Sequence, residues 1–367
     1  MKRILIFGMT ENPGGIESVI MNYYRHIDRE HIQFEFLCNS LKVAYEEEIT
    51  ALGGKIYKIT SKKRNYFAFK RELDTFMREN AERYAAIWVN VCTLVNIDYL
   101  ISAKKYGISR RIIHSHSAGN DGGGVKKIRH FINKFRIGKY ATDFWSCSED
   151  AALWFYQKSI FSSNKSKVIP NAIDLTRFKR DEPLRQRLRK EMGMEDKIVI
   201  GHVGRFHFLK NHHFLIEIFE ELAGRNSRYH LLLVGQGDLE NEIRELVSSK
   251  KLVEKVSFCG VRGDIENLYQ VMDIFVFPSL SEGLSVATLE AQAYMMPCLL
   301  ADSTSKAVKV NENVEFLSIN KTAAVWADEI ERMLQIPRDN LVNKLSLSQY
   351  NIQKQTQRLE RLLLEDE

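Results

Sequence analysis

The most informative stretch of this sequence is IVIGHVGRFHFLKN at residues 198–211. Its first six residues form a short apolar run typical of a buried parallel strand, and GRFHFLKN follows directly as a loop. Arg205 and Lys210 stand five positions apart in this loop. Ligands of parallel α/β sheets lie at the carboxyl ends of the strands, so two cations there indicate an anionic ligand. Taken alone, the pair would also fit an exposed turn with two surface cations.

Comparable apolar runs recur on both sides of this stretch, separated by segments with a helical pattern. They lie at residues 3–7, 33–37, 55–59, 86–91, 111–114, 143–146, 229–234, 256–259, 274–277 and 298–301. Such alternation is typical of parallel sheets with crossover helices. The pattern pauses at residues 168–182, where Pro170 and Asn171 favour a turn. The sequence therefore predicts two doubly wound domains with a hinge near residues 171–180.

The bulk composition agrees with two globular domains. The chain has 367 residues, more than one hydrophobic core usually serves, with 44% hydrophobic and 27% charged residues. No apolar run approaches the roughly 20 residues of a membrane-spanning helix. The five cysteines are scattered without a CxxC pair, which argues against a disulfide framework or a zinc site. We expect a cytoplasmic protein that is soluble or peripheral at the inner face of the membrane.

The positive charge is concentrated in the first half. Residues 1–170 carry 27 Lys and Arg against 17 Asp and Glu, a net charge of +10, whereas the whole chain carries +6. Residues 58–71 and 104–139 hold most of the excess, with aromatic residues interleaved. Nucleic acid, anionic lipid and a pyrophosphate-linked acceptor are candidate partners for such a patch, and a solvated basic surface is the simplest alternative. From clustering alone we expect docking on anionic membranes through Lys62, Lys63, Arg64, Phe67 and Phe69.

Two further segments have the composition of ligand-binding loops. Gly14 and Gly15 follow the first strand and precede a helical pattern, so their backbone amides can approach a phosphate at a helix N-terminus. This pair is weaker evidence than the spaced GxGxxG fingerprint, which the sequence lacks. Residues 277–290, FPSLSEGLSVATLE, combine a strand end, a glycine loop and a helix start. Glu282 and Glu290 stand eight positions apart, at most about 12 Å along a helix, a span that suits two hydroxyl clusters of one ligand.

Together these segments resemble glycosyltransferase family 4, which has the GT-B fold, and especially its capsular or exopolysaccharide branch. The motifs that carry the resemblance are GRFHFLKN, VIPNAID, LLLVGQG, FCGVRGDI and PSLSEGLSVATLEAQA, with GGIE and HSHS in the first half. The resemblance spans roughly residues 1–335. It implies two Rossmann-like doubly wound domains facing each other across a cleft. Residues 1–172 would bind the acceptor, residues 173–338 the nucleotide-sugar, and residues 339–367 would form a helix that returns to the first domain.

The resemblance also implies roles for individual residues. Glu282 would contact the donor sugar and Glu290 the ribose, while Arg205 and Lys210 would grip the diphosphate. A histidine at the end of the fifth strand would face the sugar, with His116 as the closest match and His114 as the alternative. The expected catalytic residues are His116, Glu282, Arg205 and Lys210. The expected donor-binding residues are Gly14, Gly15, Arg205, Lys210, Glu282, Gly283, Leu284, Ser285 and Glu290.

The function implied is retaining transfer of a hexose from a nucleoside diphosphate, a UDP-sugar by expectation, to a saccharide or lipid-linked saccharide. We expect no cofactor and no metal ion, because no Asp-x-Asp stands at a strand end and GT-B relatives usually need none. Nucleic acid is not an expected partner. The alternatives are a nucleotide-sugar epimerase of the same fold and a non-catalytic protein that binds a nucleotide-sugar or nucleic acid.

Two positions depart from the family pattern. The usual NGID reads NAID, with Ala172 in place of glycine, and a glycine that usually follows the second glutamate is Met295. Neither change removes a proposed ligand contact. We expect them to affect the hinge or the strand that follows.

Overall fold

The structure is a computed structural model that describes residues 1–117, 119, 123–338 and 343–365. It divides into two compact units. The first comprises Met1–Ala172 together with the segment that begins at Ile352, and the second comprises Ile173–Asn351.

The first unit is built on a parallel sheet. Its seven strands are β1 Lys2–Phe7, β2 Ile32–Cys38, β3 Lys55–Lys58, β4 Ala86–Val91, β5 Arg110–Ser115, β6 Asp143–Ser146 and β7 Ser166–Val168. They lie in the order β3-β2-β1-β4-β5-β6-β7, and every neighbouring pair is parallel. The central strands are continuous apolar runs because helices cover both faces of such a sheet.

Eight helices belong to this unit in the part of the chain that the structure describes. They are α1 Gly15–His26, α2 Glu46–Ala51, α3 Tyr66–Asn80, α4 Asp98–Lys105, α5 Val125–Arg136, α6 Glu149–Phe155, α7 Lys158–Phe161 and, from the far end of the chain, α14 Ile352–Leu364. Several begin at residues that cap the free amides of the first turn. Asn65 accepts from Ala68 N at 3.0 Å and Ser148 accepts from Ala151 N at 3.1 Å.

The second unit repeats this architecture. Its strands are β8 Ile198–Val203, β9 Tyr229–Val234, β10 Val256–Phe258, β11 Ile274–Phe277, β12 Cys298–Ala301 and β13 Val314–Leu317, in the order β10-β9-β8-β11-β12-β13. Its helices are α8 Glu182–Glu191, α9 His212–Arg225, α10 Glu240–Ser249, α11 Ile265–Val271, α12 Val286–Ala293 and α13 Ala323–Leu334. In both units the strand order reverses beside the first strand, which is where doubly wound sheets bind ligands.

The prediction of two doubly wound α/β domains is confirmed. The predicted apolar runs all coincide with strands, whereas β7 and β13 were not predicted. Both are edge strands of three or four residues, and neither is an uninterrupted apolar run. Within the described residues, no helix is both long and apolar enough to cross a membrane.

The helix α14 completes the first unit. Ile352, Leu359 and Leu363 are buried, and the backbone amide of Asp28 donates to Glu360 Oε1 at 2.7 Å just after α1. The compact second unit continues to Asn351, past the boundary at residue 338 that the sequence suggested. Residues 339–342 and 366–367 of the predicted final segment lie outside the described residues.

Candidate functional site

Three neighbouring loops of the second unit meet at the carboxyl edge of its sheet. They follow β8, β11 and β12, which lie side by side. The amide of Leu280 donates to the carbonyl of Leu209 at 2.8 Å, which joins the first loop to the second. The hydroxyl of Ser303 donates to the carbonyl of Ser279 at 2.5 Å, which joins the third to the second. These bonds bring together loops that are far apart in sequence.

Lys210 and Glu282 form an ion pair across the first two loops. Each side chain is about one-fifth exposed, and the Lys210 ammonium also lies 4.7 Å from the centroid of the Phe277 ring. The ring face attracts the cation and helps to hold it at this position. The two charges neutralise each other in this pair. If Lys210 bound an anionic ligand instead, the Glu282 carboxylate would be free to accept a hydrogen bond from another group, such as a sugar hydroxyl.

Arg205 lies on the same loop but is exposed. Among the residues that the structure describes, no side chain forms a hydrogen bond or ion pair with its guanidinium. An unpaired guanidinium at the carboxyl end of a central strand is suited to bidentate contact with phosphate oxygens.

The VGQG segment after β9 holds the backbone of this loop. Gly204 N donates to Val234 O at 2.9 Å and Phe206 N donates to Gln236 O at 3.1 Å. Gly235 has a φ of +133°, and a Cβ there would stand 2.2 Å from the carbonyl oxygen of Gly204. The motif therefore requires glycine because two backbones approach closely, and it acts by positioning Arg205.

The predicted donor loop at residues 283–285 leads into α12. Leu284 and Ser285 are buried, and the Ser285 hydroxyl caps α12 by accepting from Thr288 N at 3.3 Å. The helix α12 begins at Val286, four residues after Glu282. The free backbone amides of its first turn carry a partial positive charge.

Glu290 lies one turn into α12 and is partly exposed. Burial raises the pKa of Glu290 to about 7, although a hydrogen bond from the Tyr269 hydroxyl at 2.9 Å favours the ionised form. Its charge therefore changes near neutral pH. Tyr269 could not be predicted from the sequence, because nothing in a lone tyrosine on α11 indicates that it faces this carboxylate.

The other predicted residues lie in the first unit. Gly14 and Gly15 stand at the start of α1, and a Cβ at Gly15 would meet no atom within 4 Å, so space is open beside this backbone. The buried Glu17 holds the loop by accepting from the Thr10 hydroxyl at 2.5 Å and from the backbone amides of Thr10 and Gly14. Burial raises the pKa of Glu17, and the hydrogen bonds from Thr10 and Gly14 oppose that shift.

His116 and His114 have different surroundings at the end of β5. His114 is fully buried, and its ring stacks on Trp88 at 5.7 Å. His116 is partly exposed, and its Nε2 lies 2.9 Å from Asn90 Oδ1. Burial lowers the pKa of His116 to about 4, so the ring is neutral at pH 7. Only a side chain with exposed atoms can touch a ligand, which leaves His116 as the candidate.

The two departures from the family pattern differ in consequence. Ala172 has no positive φ, and its carbonyl accepts from Asn22 Nδ2 at 2.9 Å, so alanine fits there. Met295 follows the last turn of α12 with a φ of +55°. Left-handed backbone after a helix favours glycine, so methionine there costs about 1 kcal/mol.

The segment 58–71, through which docking on anionic membranes is expected, is only partly exposed, although Lys63 and Arg64 are exposed. Phe69 is fully buried, and Lys62 pairs with Asp98 at 2.5 Å. Of Phe67 and Phe69, only Phe67 is exposed.

Comparison with known proteins adds to this geometry. Residues 184–356 match the family model "Glycosyl transferases group 1". The chain is 34% identical over 338 residues to the putative glycosyltransferase EpsF of Bacillus subtilis strain 168, over 90% of this chain and 87% of that protein. It is 29% identical over 214 residues to an Escherichia coli UDP-Gal:alpha-D-GlcNAc-diphosphoundecaprenol alpha-1,3-galactosyltransferase, over 55% of this chain and 54% of that protein. The crystal structure of Anabaena HepE with UDP and glucose matches the fold with a TM-score of 0.80 at 17% identity, over 99% of both chains.

Proposed function

We propose that this chain transfers a hexose from a nucleoside diphosphate to a saccharide acceptor. The chain belongs to the group 1 glycosyltransferases, and its fold is of the GT-B class, with two Rossmann-like domains. One observation carries the proposal. Lys210 and Glu282 form an ion pair where the carboxyl ends of β8 and β11 adjoin, and Arg205 lies on the same loop as Lys210. This arrangement offers cations for a diphosphate and a carboxylate for sugar hydroxyls.

The donor that we propose is a UDP-sugar. The Escherichia coli relative is named for UDP-Gal, and HepE was crystallised with UDP and glucose. In this chain Glu290 is the proposed partner of the ribose hydroxyls, and Gly14 and Gly15 would donate backbone amides to the diphosphate. The choice of uridine rests on the names of these relatives.

The proposed chemistry is stabilisation of the leaving group. When the bond between the anomeric carbon and the phosphate oxygen breaks, about one extra negative charge develops on the diphosphate. Arg205, Lys210 and the amides at the start of α12 would stabilise it. We propose that the configuration at the anomeric carbon is retained, with a departing phosphate oxygen taking the proton of the acceptor hydroxyl, so no protein nucleophile is assigned. Neutral His116 would contact the donor sugar.

A metal ion is not part of this proposal. Across the described ranges, no three or more His, Cys, Asp or Glu side chains are grouped so that they could hold one. Arg205 and Lys210 are the groups that we propose to balance the diphosphate charge instead.

The acceptor that we propose is a lipid-linked saccharide in exopolysaccharide or capsule synthesis. The Escherichia coli relative is named for a diphosphoundecaprenol-linked substrate. The net charge of +10 on residues 1–170 suits an acceptor that carries a pyrophosphate.

The test is a thermal-shift screen with UDP-, GDP- and ADP-sugars, followed by transfer assays with the sugar that stabilises the protein. We expect a UDP-sugar to raise the melting temperature of the wild type and to have a much smaller effect on Arg205→Ala. Arg187→Ala is the matched control, because Arg187 is an exposed arginine on α8 of the same unit and belongs to none of the three loops. Equal stabilisation of all three proteins would refute the diphosphate assignment. Release of an epimerised sugar from donor alone would support the epimerase instead.

A further inference from the structure

The helix α5 presents its apolar side chains to solvent. Its sequence is VKKIRHFINKFR, and all five of its large apolar residues are between 49% and 65% exposed. They are Val125, Ile128, Phe131, Ile132 and Phe135. Exposed apolar residues are normally scattered singly, and a contiguous patch marks an interaction site.

The polar residues of α5 face the protein instead. His130 and Asn133 are buried, and both bind the backbone of Leu94, His130 Nδ1 accepting from its amide at 3.1 Å and Asn133 Nδ2 donating to its carbonyl at 2.7 Å. At 3.6 residues per turn the apolar residues cover about 120° of the helix circumference, directly opposite these two residues. The apolar stripe therefore points away from the body of the first unit.

Cations flank this stripe. The twelve residues of α5 include five Lys or Arg and no Asp or Glu. On a helical wheel Lys127 and Lys134 lie on one side of the stripe, and Arg129 and Arg136 lie on the other. Lys134 is bound to the carbonyl of Trp154 at 2.6 Å. For Lys127 and Arg129, the described part of the chain contains no ion-pair partner.

We propose that α5 lies flat on an anionic lipid bilayer, with its apolar stripe inserted among the acyl chains and its cations at the level of the headgroups. An apolar stripe between rows of Lys and Arg is the pattern of helices that bind in the membrane interface. The charges favour lipid over a second copy of this chain, because two such helices packed stripe to stripe would bring like charges together. The surface is distinct from the Lys62 to Phe69 cluster on and before α3.

The test is co-sedimentation of the full chain with phosphatidylglycerol/phosphatidylcholine vesicles and with pure phosphatidylcholine vesicles. The stripe variant carries Ile128→Ser, Phe131→Ser and Phe135→Ser. The matched control carries Leu41→Ser, Tyr66→Ser and Phe67→Ser, which removes three exposed apolar side chains of the same unit. Phe67 belongs to the cluster that the sequence alone predicts to dock on membranes, so this variant also tests that cluster against α5. We expect the stripe variant to bind anionic vesicles on the order of a hundredfold more weakly than the wild type, and the control to bind within about twofold of it.

Further measurements separate this proposal from the alternatives. A charge variant, Lys127→Glu with Arg129→Glu, should lose binding to anionic vesicles, and added salt should weaken wild-type binding. The stripe variant should keep the wild-type melting temperature, and a UDP-sugar should stabilise it as much as the wild type. A lower melting temperature would reveal a folding defect, and a wild type that no UDP-sugar stabilises would count against the proposed function and not against the membrane surface. Wild-type binding by the stripe variant would overturn the proposal. Light scattering that shows a wild-type dimer and a monomeric stripe variant would assign the stripe to a second copy instead.

Discussion

Replacing Glu290 with glutamine should remove a pH dependence from donor binding. Burial holds the pKa of Glu290 at about 7, so its carboxyl gains charge as the pH rises from 6 to 8. The ionised carboxylate has two oxygens that only accept, so it can accept one hydrogen bond from each ribose hydroxyl. In the protonated carboxyl one of these oxygens carries a hydrogen, which weakens it as an acceptor. If Glu290 binds the ribose, the affinity of the wild type for donor should therefore increase across this range.

The size of the effect follows from the titration. A carboxyl with a pKa of about 7 is roughly one-tenth ionised at pH 6 and roughly nine-tenths ionised at pH 8, which limits the change in Kd to about tenfold. Hydrogen bonds to a charged group contribute about 1.5 to 3 kcal/mol. Glu290→Gln should therefore lose at least tenfold in affinity at pH 8 and much less at pH 6.

Calorimetry with UDP-glucose at pH 6, 7 and 8 measures this directly, because the diphosphate of a UDP-sugar has no group that titrates in this range. Glu282→Gln is the matched control and should keep the pH slope of the wild type. With UDP at pH 8, Glu282→Gln should bind nearly as the wild type does, yet it should turn over more slowly because Glu282 is proposed to position the sugar. A slope that survives in Glu290→Gln would show that another group titrates. Equal losses of UDP affinity in both variants would show that the two glutamates do not divide the donor between them.

Transfer activity should survive EDTA, and loss on chelation with recovery in magnesium or manganese would refute the assignment of the diphosphate to side-chain cations. Met295→Gly should stabilise the protein by about 1 kcal/mol, because the φ of +55° favours glycine. The melting temperature should rise by roughly 2 to 4 °C, and a lower melting temperature would contradict this reasoning. Gly15→Ala should keep the wild-type melting temperature but bind donor about tenfold more weakly, whereas Gly14→Ala should lower the melting temperature, since its Cβ would stand 2.8 Å from a carboxylate oxygen of Glu17. Unchanged donor affinity in Gly15→Ala would remove that loop from the site.

The central strands could be predicted because burial on both faces demands continuous apolar runs, as in IFVF at β11 and CLLA at β12. The edge strand β7, with the sequence SKV, is under no such demand and carries no such signal. The helical nature of residues 352–364 could also be read from the sequence, but a period of apolar residues does not say which sheet a helix will cover.

For the site, the sequence could indicate which residues carry charge at strand ends but not how those charges pair. Lys210 and Glu282 are 72 positions apart, and their contact depends on β8 and β11 being neighbours in the sheet. The raised pKa of Glu290 and the hydrogen bond from Tyr269 arise from packing that no local pattern records. The direction of the α5 stripe was hidden for the same reason, because an amphipathic pattern does not reveal which face the protein buries.

The placement of α14 has a consequence for synthesis of the chain on the ribosome. The first unit needs this helix beside α1, yet the ribosome makes α14 only after all of the second unit. Until then the surface that Leu359 and Leu363 will cover stays open, and the nascent first unit offers it to chaperones or to neighbouring chains. The second unit, whose sheet and helices come from one continuous segment, can close its core earlier. We therefore expect the unit that is translated first to complete its packing last.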